Sequence, residues 1–203
     1  MRLIGCLLAA LIGLGVAPAL AQGPAKGPAE MARSLGVLEL RGGAMIDDVE
    51  LYGLPYAVVP IVSSWSLDNL HTASFDVLFR SPEVDAFRWI GSPRPVIGAD
   101  VNFTHESMLH AGLNWHIPIF NTGAFIEPEL GGAIHNGALT GAVAPYRNLG
   151  CRALFFWSLS IGYQIDEHWD ITATEQHGSQ YGICGWDNNR GLNYDGIRIG
   201  YKF

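Results

Sequence analysis

Charge is scarce in this chain: Asp, Glu, Lys and Arg make up 15% of its 203 residues, against roughly 25% in an ordinary soluble domain. Positive charge is the scarcer sign, with 12 Lys and Arg against 19 Asp and Glu, and the net charge of −7 argues against a nucleic-acid binder. Long apolar runs are missing too. Beyond the N-terminus the longest, around Ala153–Tyr163, is broken by serines and a glycine and falls short of the roughly 20 residues of a membrane helix. An α-helical membrane bundle is excluded, and the low charge argues against disorder. Cysteine is confined to Cys6, Cys151 and Cys184. What is present is an apolar content of 49% with 25 glycines, the make-up of a β-rich protein whose exterior need not meet water.

Met1-Arg2, the apolar stretch Leu3–Val16 and Ala19-Leu20-Ala21 have the form of a secretory signal over residues 1–21, cut before Gln22. The run is short and ends in small residues, which speaks against a membrane anchor. Cleavage removes Cys6. Cys151 and Cys184 remain, most simply as a disulfide in an oxidising compartment, with a free-thiol nucleophile as the alternative. Residues 22–33 read as a flexible lead-in, and 34–203 as one domain.

Period-two alternation recurs along that domain. Ile97, Ala99, Val101 and Phe103 form one apolar face, and Leu109, Ala111, Leu113 and Trp115 the next. Phe155, Trp157, Leu159, Ile161 and Tyr163 follow, then Trp169, Ile171 and Ala173, and finally Ile197, Ile199, Tyr201 and Phe203. Strict alternation predicts strands with one apolar and one polar face. Weaker strands near Leu35–Arg41, Ala73–Arg80 and Ala124–Ile134 bring the count to eight. Short turns (Phe120–Gly123, Asp166–His168) and longer connections (Glu50–His71, Asn136–Gly150) separate them. The expected fold is all-β, an eight-stranded antiparallel transmembrane β-barrel.

The polar face holds Asp76, Arg80, Asp100, Glu127, Glu129, Asp170, Arg198 and Lys202. Charges of both signs can pair inside a closed lumen, whereas lipid offers them no partner, so the apolar face is expected to point outward. A soluble lipocalin-like barrel would reverse the faces. The shortage of long Lys and Glu side chains weighs against it, as does the C-terminal Tyr201-Lys202-Phe203, which resembles an outer-membrane barrel signal.

Candidate chemistry is sparse. His105 and His110 are one residue too far apart for a zinc-protease helix. His110 and His116 lie about 20 Å apart on an extended strand, and Asp187–Gly191 lacks calcium-loop spacing. No metal and no cofactor is expected. His177-Gly178-Ser179 places a base and a hydroxyl on one strand face, the minimum for an activated serine; His105-Glu106-Ser107 has the same spacing. Parity separates the two. His177 and Ser179 continue the lipid-facing series Trp169, Ile171, Ala173, where a lone histidine is costly. Glu175, Asn193 and Asp195 share that parity. With the N-terminus periplasmic, all five cluster at the outer rim, at the level of lipopolysaccharide; interfacial polar residues beside a loop are the plainer reading.

These residues resemble the lipid A 3-O-deacylases, the PagL or acyloxyacyl hydrolase family of outer-membrane barrels. The likeness starts at Leu38–Gly43 and includes Gly131–Gly137. It is densest from Gly150-Cys151-Arg152 to the C-terminus, through His177-Gly178-Ser179-Gln180, Asn189–Asn193 and Tyr201-Lys202-Phe203. The resemblance implies that Ser179 attacks an ester carbonyl, His177 is the general base and an acid orients His177. Two positions depart from the family: Asn193 stands for its Glu or Asp, and Gln180 for the Asn that helps hold the oxyanion. An amide can orient a histidine but cannot stabilise imidazolium as a carboxylate does. Asp195 and then Glu175 are the substitute acids on the same face. The implied partners are lipid A and outer-membrane lipid, with a second copy of the chain as a further candidate; the alternative is a weak or inactive relative that binds lipopolysaccharide or has a structural role.

Overall fold

A computed structural model describes residues 27–47, 66–143, 146–185 and 191–203. The expected signal segment, the first part of the lead-in (22–26), most of the Glu50–His71 connection and residues 186–190 lie outside them. Eight strands build the wall: β1 Val37–Asp47, β2 Thr72–Phe79, β3 Arg94–Asn102, β4 Met108–Asn114, β6 Ala124–His135, β7 Ala153–Gln164, β8 Trp169–Ser179 and β9 Leu192–Lys202. The two-residue β5, Ile117–Pro118, pairs with Ile126 and Phe125 of β6. All pairings are antiparallel. β9 pairs with β1, and β4 with β6, so the sheet closes into an eight-stranded barrel.

The alternation read from the sequence sets the faces. On β7, Leu154, Phe156, Ser158 and Ser160 are buried while Phe155, Ile161 and Tyr163 are exposed. Exposed Ile97, Leu130, Ile134, Ile171, Ile197 and Ile199 continue this apolar exterior around the wall. Trp169, Tyr201 and Phe203 pack edge to face at the end where the chain terminates. Phe155, Trp157 and Tyr181 lie at the opposite end, so aromatic side chains mark both rims, as they do in barrels that span a bilayer.

Inside, the charges pair. Arg41 Nη1 meets Glu127 at 2.7 Å and Arg94 Nη2 meets Glu127 at 2.6 Å, while Arg41 also grips Glu39. Nearer the outer end Arg198 holds Asp76, and His110 lies 3.3 Å from both Asp76 and Glu129. Above this layer Met45, Met108, Leu149, Leu154, Phe156, Leu192 and Tyr194 form an apolar plug, and Phe156 stacks on His110 with ring centroids 4.2 Å apart. The lumen is therefore a packed core with a charged lower layer and an apolar upper one.

Two helices not read from the sequence appear, and one luminal assignment changes. Pro28–Ser34, overlapping the segment read as flexible, forms a helix (α1), with Pro28 at its start, Glu30 in its first turn and Arg33 in its last. These are the preferences of helix ends, and the Pro, Gly and Ala content of the lead-in masked them. A second short helix, α2 (Asp85–Trp89), lies in the β2–β3 connection. Arg80 is exposed and not luminal, because the chain leaves the ladder at Phe79 and the Arg80 N–H donates to Gly36 O.

Candidate active site

β8 presents Glu175, His177 and Ser179 at successive outward positions, and β9 presents Asn193 and Asp195. The ladder puts Asn193 opposite His177 and Asp195 opposite Glu175. On the other flank of β8, Trp157 lies opposite His177 and Phe155 opposite Ser179. The strand register brings the five polar residues onto one patch of the outer wall, in two adjacent rows.

His177 Nδ1 donates to Asn193 Oδ1 across 2.5 Å. Because an amide oxygen carries no hydrogen, the ring proton of that bond belongs to Nδ1, which leaves Nε2 as a lone-pair acceptor. On the opposite side the Trp157 ring approaches His177 with centroids 5.7 Å apart and planes tilted by 36°. Asp195 faces Glu175 instead of the imidazole, one row away. Glu175 is buried, and among the described residues neither of its carboxylate oxygens accepts a hydrogen bond.

Two glycines let the site close. Gly178, between base and hydroxyl, turns inward onto the apolar plug: a Cβ there would lie 3.2 Å from Met108 Sδ and 3.4 Å from Leu154 Cδ1. Gly191, at the start of β9, has φ of 66°, a left-handed conformation that side chains disfavour. A Cβ on it would stand 3.1 Å from His177 Cε1 and 3.6 Å from Ser179 Cβ. Gly191 is braced from behind. Arg147 Nη1 donates to its carbonyl at 3.1 Å, Glu106 Oε1 accepts from the Arg147 backbone N–H at 2.7 Å, and Tyr194 Oη donates to Glu106 O at 2.8 Å. Sequence reasoning missed this brace, which joins three loops and strands far apart in the chain. The only pointer to Glu106 is that it sits between His105 and Ser107.

Gln180, the residue expected to help hold an oxyanion, turns inward. It is buried, its Nε2 donates to Gly185 O at 2.5 Å, and its Oε1 accepts from the Cys184 N–H at 2.7 Å. The even parity that turns it inward commits its amide to the following loop, which holds Cys184. The expected Cys151–Cys184 disulfide is formed, with Cα atoms 5.7 Å apart, and it ties this loop to the start of β7. Tyr181, just past Ser179, takes φ of 49° and meets Phe155 edge to face.

The competing His105-Glu106-Ser107 carries no nucleophile. His105 Nδ1 is 2.6 Å from Asp47 Oδ2, but the Ser107 hydroxyl accepts from the Asn102 N–H and donates to Asn102 O. His110 and His116 are both engaged with carboxylates of the lumen. Among the described residues no group of three or more His, Cys, Asp or Glu could hold a metal ion.

The model of the family described as lipid A 3-O-deacylase (PagL) matches residues 66–202. Among solved structures, the crystal structure of the outer membrane enzyme PagL superposes with a TM-score of 0.52 at 12% identity, covering 81% of this chain and 99% of that one. The Yersinia pestis outer membrane protein Ail, determined in a phospholipid bilayer nanodisc, gives 0.45 at 10% identity, covering 83% and 99%. No curated protein matches the sequence significantly. With a family model spanning more than half of its length and the barrel fold in common with PagL, the chain belongs to the lipid A 3-O-deacylase (PagL) family.

Proposed function

We propose that this chain is an outer-membrane esterase that hydrolyses the 3-O-linked acyl ester of lipid A through Ser179 and His177. The observation that carries the reading is the His177–Asn193 bond on the same outward strand face as Ser179. It leaves Nε2 of His177 free to accept a proton on the lipid-facing wall, where an acyl chain is at home. The apolar exterior supports an outer-membrane location, with residues 1–21 acting as the export signal.

In this mechanism Ser179 Oγ attacks the ester carbonyl as its proton passes to His177 Nε2. The resulting tetrahedral oxyanion is held by the backbone N–H of Ser179, while Gln180 keeps the adjoining loop in place. His177 then returns the proton to the departing sugar oxygen, leaving an acyl-serine. Water, deprotonated by the same Nε2, releases the fatty acid and restores Ser179. Asn193 holds the ring in the required tautomer, and no metal or cofactor enters.

The amide at position 193 favours a second reading, a weak or inactive relative that retains lipopolysaccharide binding. Mass spectrometry of lipid A from cells expressing the protein separates the two. The esterase reading expects a species lighter by one 3-O-linked acyl chain, absent with Ser179→Ala and with His177→Ala. Identical lipid A profiles from all three strains would select the inactive relative.

A further inference from the structure

We infer that Trp157 is a positioning residue that stabilises the positively charged form of His177, supplying part of what Asn193 cannot. The kinetic consequence rests on the esterase reading; the electrostatic one does not. During acylation His177 takes the serine proton and becomes imidazolium. In the usual triad a carboxylate both fixes the ring tautomer and answers that charge, and replacing it by an amide that leaves the wrong tautomer costs about 10⁴ in rate. Here the hydrogen bond from Nδ1 ends on the neutral Oδ1 of Asn193.

Among the described residues, the charged groups near the ring are few. On β8 and β9, Glu175 and Asp195 oppose each other in the adjacent row. Behind Gly191, Arg147 is bound to that residue's carbonyl. β7 contributes no titratable group to this row, but it contributes the indole of Trp157, whose centroid is 5.7 Å from that of His177. A cation over the face of an indole and within about 6 Å of its centroid is attracted by the ring's negative π cloud, more strongly where water is excluded; the 36° tilt between the two planes turns the indole face partly toward the imidazole. The separation is set by the ladder, since Trp157 and His177 are direct cross-strand partners. It is therefore a built-in contact of two neighbouring strands. Phe155, one pair further out, faces Ser179 and meets Tyr181 edge to face instead.

The test compares wild type with Trp157→Leu, which keeps an apolar flank, and Trp157→Phe, which keeps a weaker π face. The first readout is the His177 ring titration followed by NMR in micelles, which needs no turnover. The titration midpoint should move to lower pH in Trp157→Leu by about half a unit to one and a half units, with Trp157→Phe in between. The second is the pH dependence of kcat/KM on a lipid A substrate. Its acid limb should move the same way, while kcat falls about 2- to 30-fold. A midpoint unchanged or raised in Trp157→Leu overturns the proposal, whatever happens to activity, because lost packing alone lets water reach the ring and moves the titration upward. A lowered midpoint in a protein whose Ser179→Ala variant matches wild type upholds the Trp157–His177 interaction and removes the esterase reading instead.

Discussion

Gly191 and His177 are in a contact that leaves little room for a side chain: a Cβ on Gly191 would lie 3.1 Å from the His177 Cε1 atom. The same glycine is held by Arg147 through its carbonyl, so it cannot easily retreat. Gly191→Ala should therefore press on the base as well as strain a left-handed backbone. We expect deacylation to fall at least about tenfold, with a stability loss of roughly 1 kcal/mol from the backbone. Gly141→Ala is the control, because Gly141 has a φ of 71° with open space around it. It should lose comparable stability and keep its activity. Turnover and thermal unfolding measured on both variants check this, and equal activities would remove the steric part of the argument.

Asn193→Glu or Asn193→Asp should raise deacylation, since a carboxylate would then face His177 Nδ1. The reverse change in a serine protease costs about 10⁴, so a gain of roughly tenfold to a hundredfold is a modest expectation for a site not shaped for the charge. Asp195→Ala should matter less, because Asp195 faces Glu175 across the ladder. Should Asn193→Glu leave the rate unchanged while Asp195→Ala abolishes it, Asp195 is the working acid.

The Cys151–Cys184 bridge closes a loop of 33 residues in sequence separation, worth about 3–4 kcal/mol in the chain-entropy account. Reduction, or the double change Cys151→Ser and Cys184→Ser, should lower the urea midpoint in micelles. It should also lower activity, because the Cys184 N–H donates to Gln180 Oε1, a bond that orders the segment after Ser179. A reduced protein with both quantities intact would show that Gln180 orders the loop unaided.

Inside the barrel, Asp76 and Arg198 are both almost fully buried and paired. Removing one partner leaves a buried charge unanswered, at a cost of about 3–5 kcal/mol. Asp76→Ala should therefore destabilise strongly, and Asp76→Ala with Arg198→Met should recover much of the loss, as read from denaturant unfolding. The outer-wall site should still turn over in whatever fraction remains folded.

Much of this was legible in the chain itself. The alternation fixes inside from outside because a strand has a period of two, and charges of both signs on one parity can only be luminal when the other parity is Ile, Phe and Trp. That logic placed Glu127 and Arg198 in the core and His177, Ser179 and Asn193 on the outer wall. The motif pointed to His177 and Asn193 as partners, which the structure joins by a hydrogen bond, and the surviving cysteines to their bond.

Other features depend on how the strands are staggered. Parity puts Asn193 and Asp195 on one face, but only the register decides that Asn193 and not Asp195 meets His177. The same register makes Trp157, otherwise one more apolar side chain of the exterior, the other neighbour of the base. Gln180 was read by its place after Ser179, yet its inward turn spends its amide on loop backbone. The brace of Tyr194, Glu106 and Arg147 behind Gly191 leaves no local signal, because its members are separated by about forty residues or more and meet only once the barrel closes. Sequence determines which face each side chain takes, a local property of the backbone; which side chains then touch is decided by strand stagger and barrel closure, properties of the whole chain.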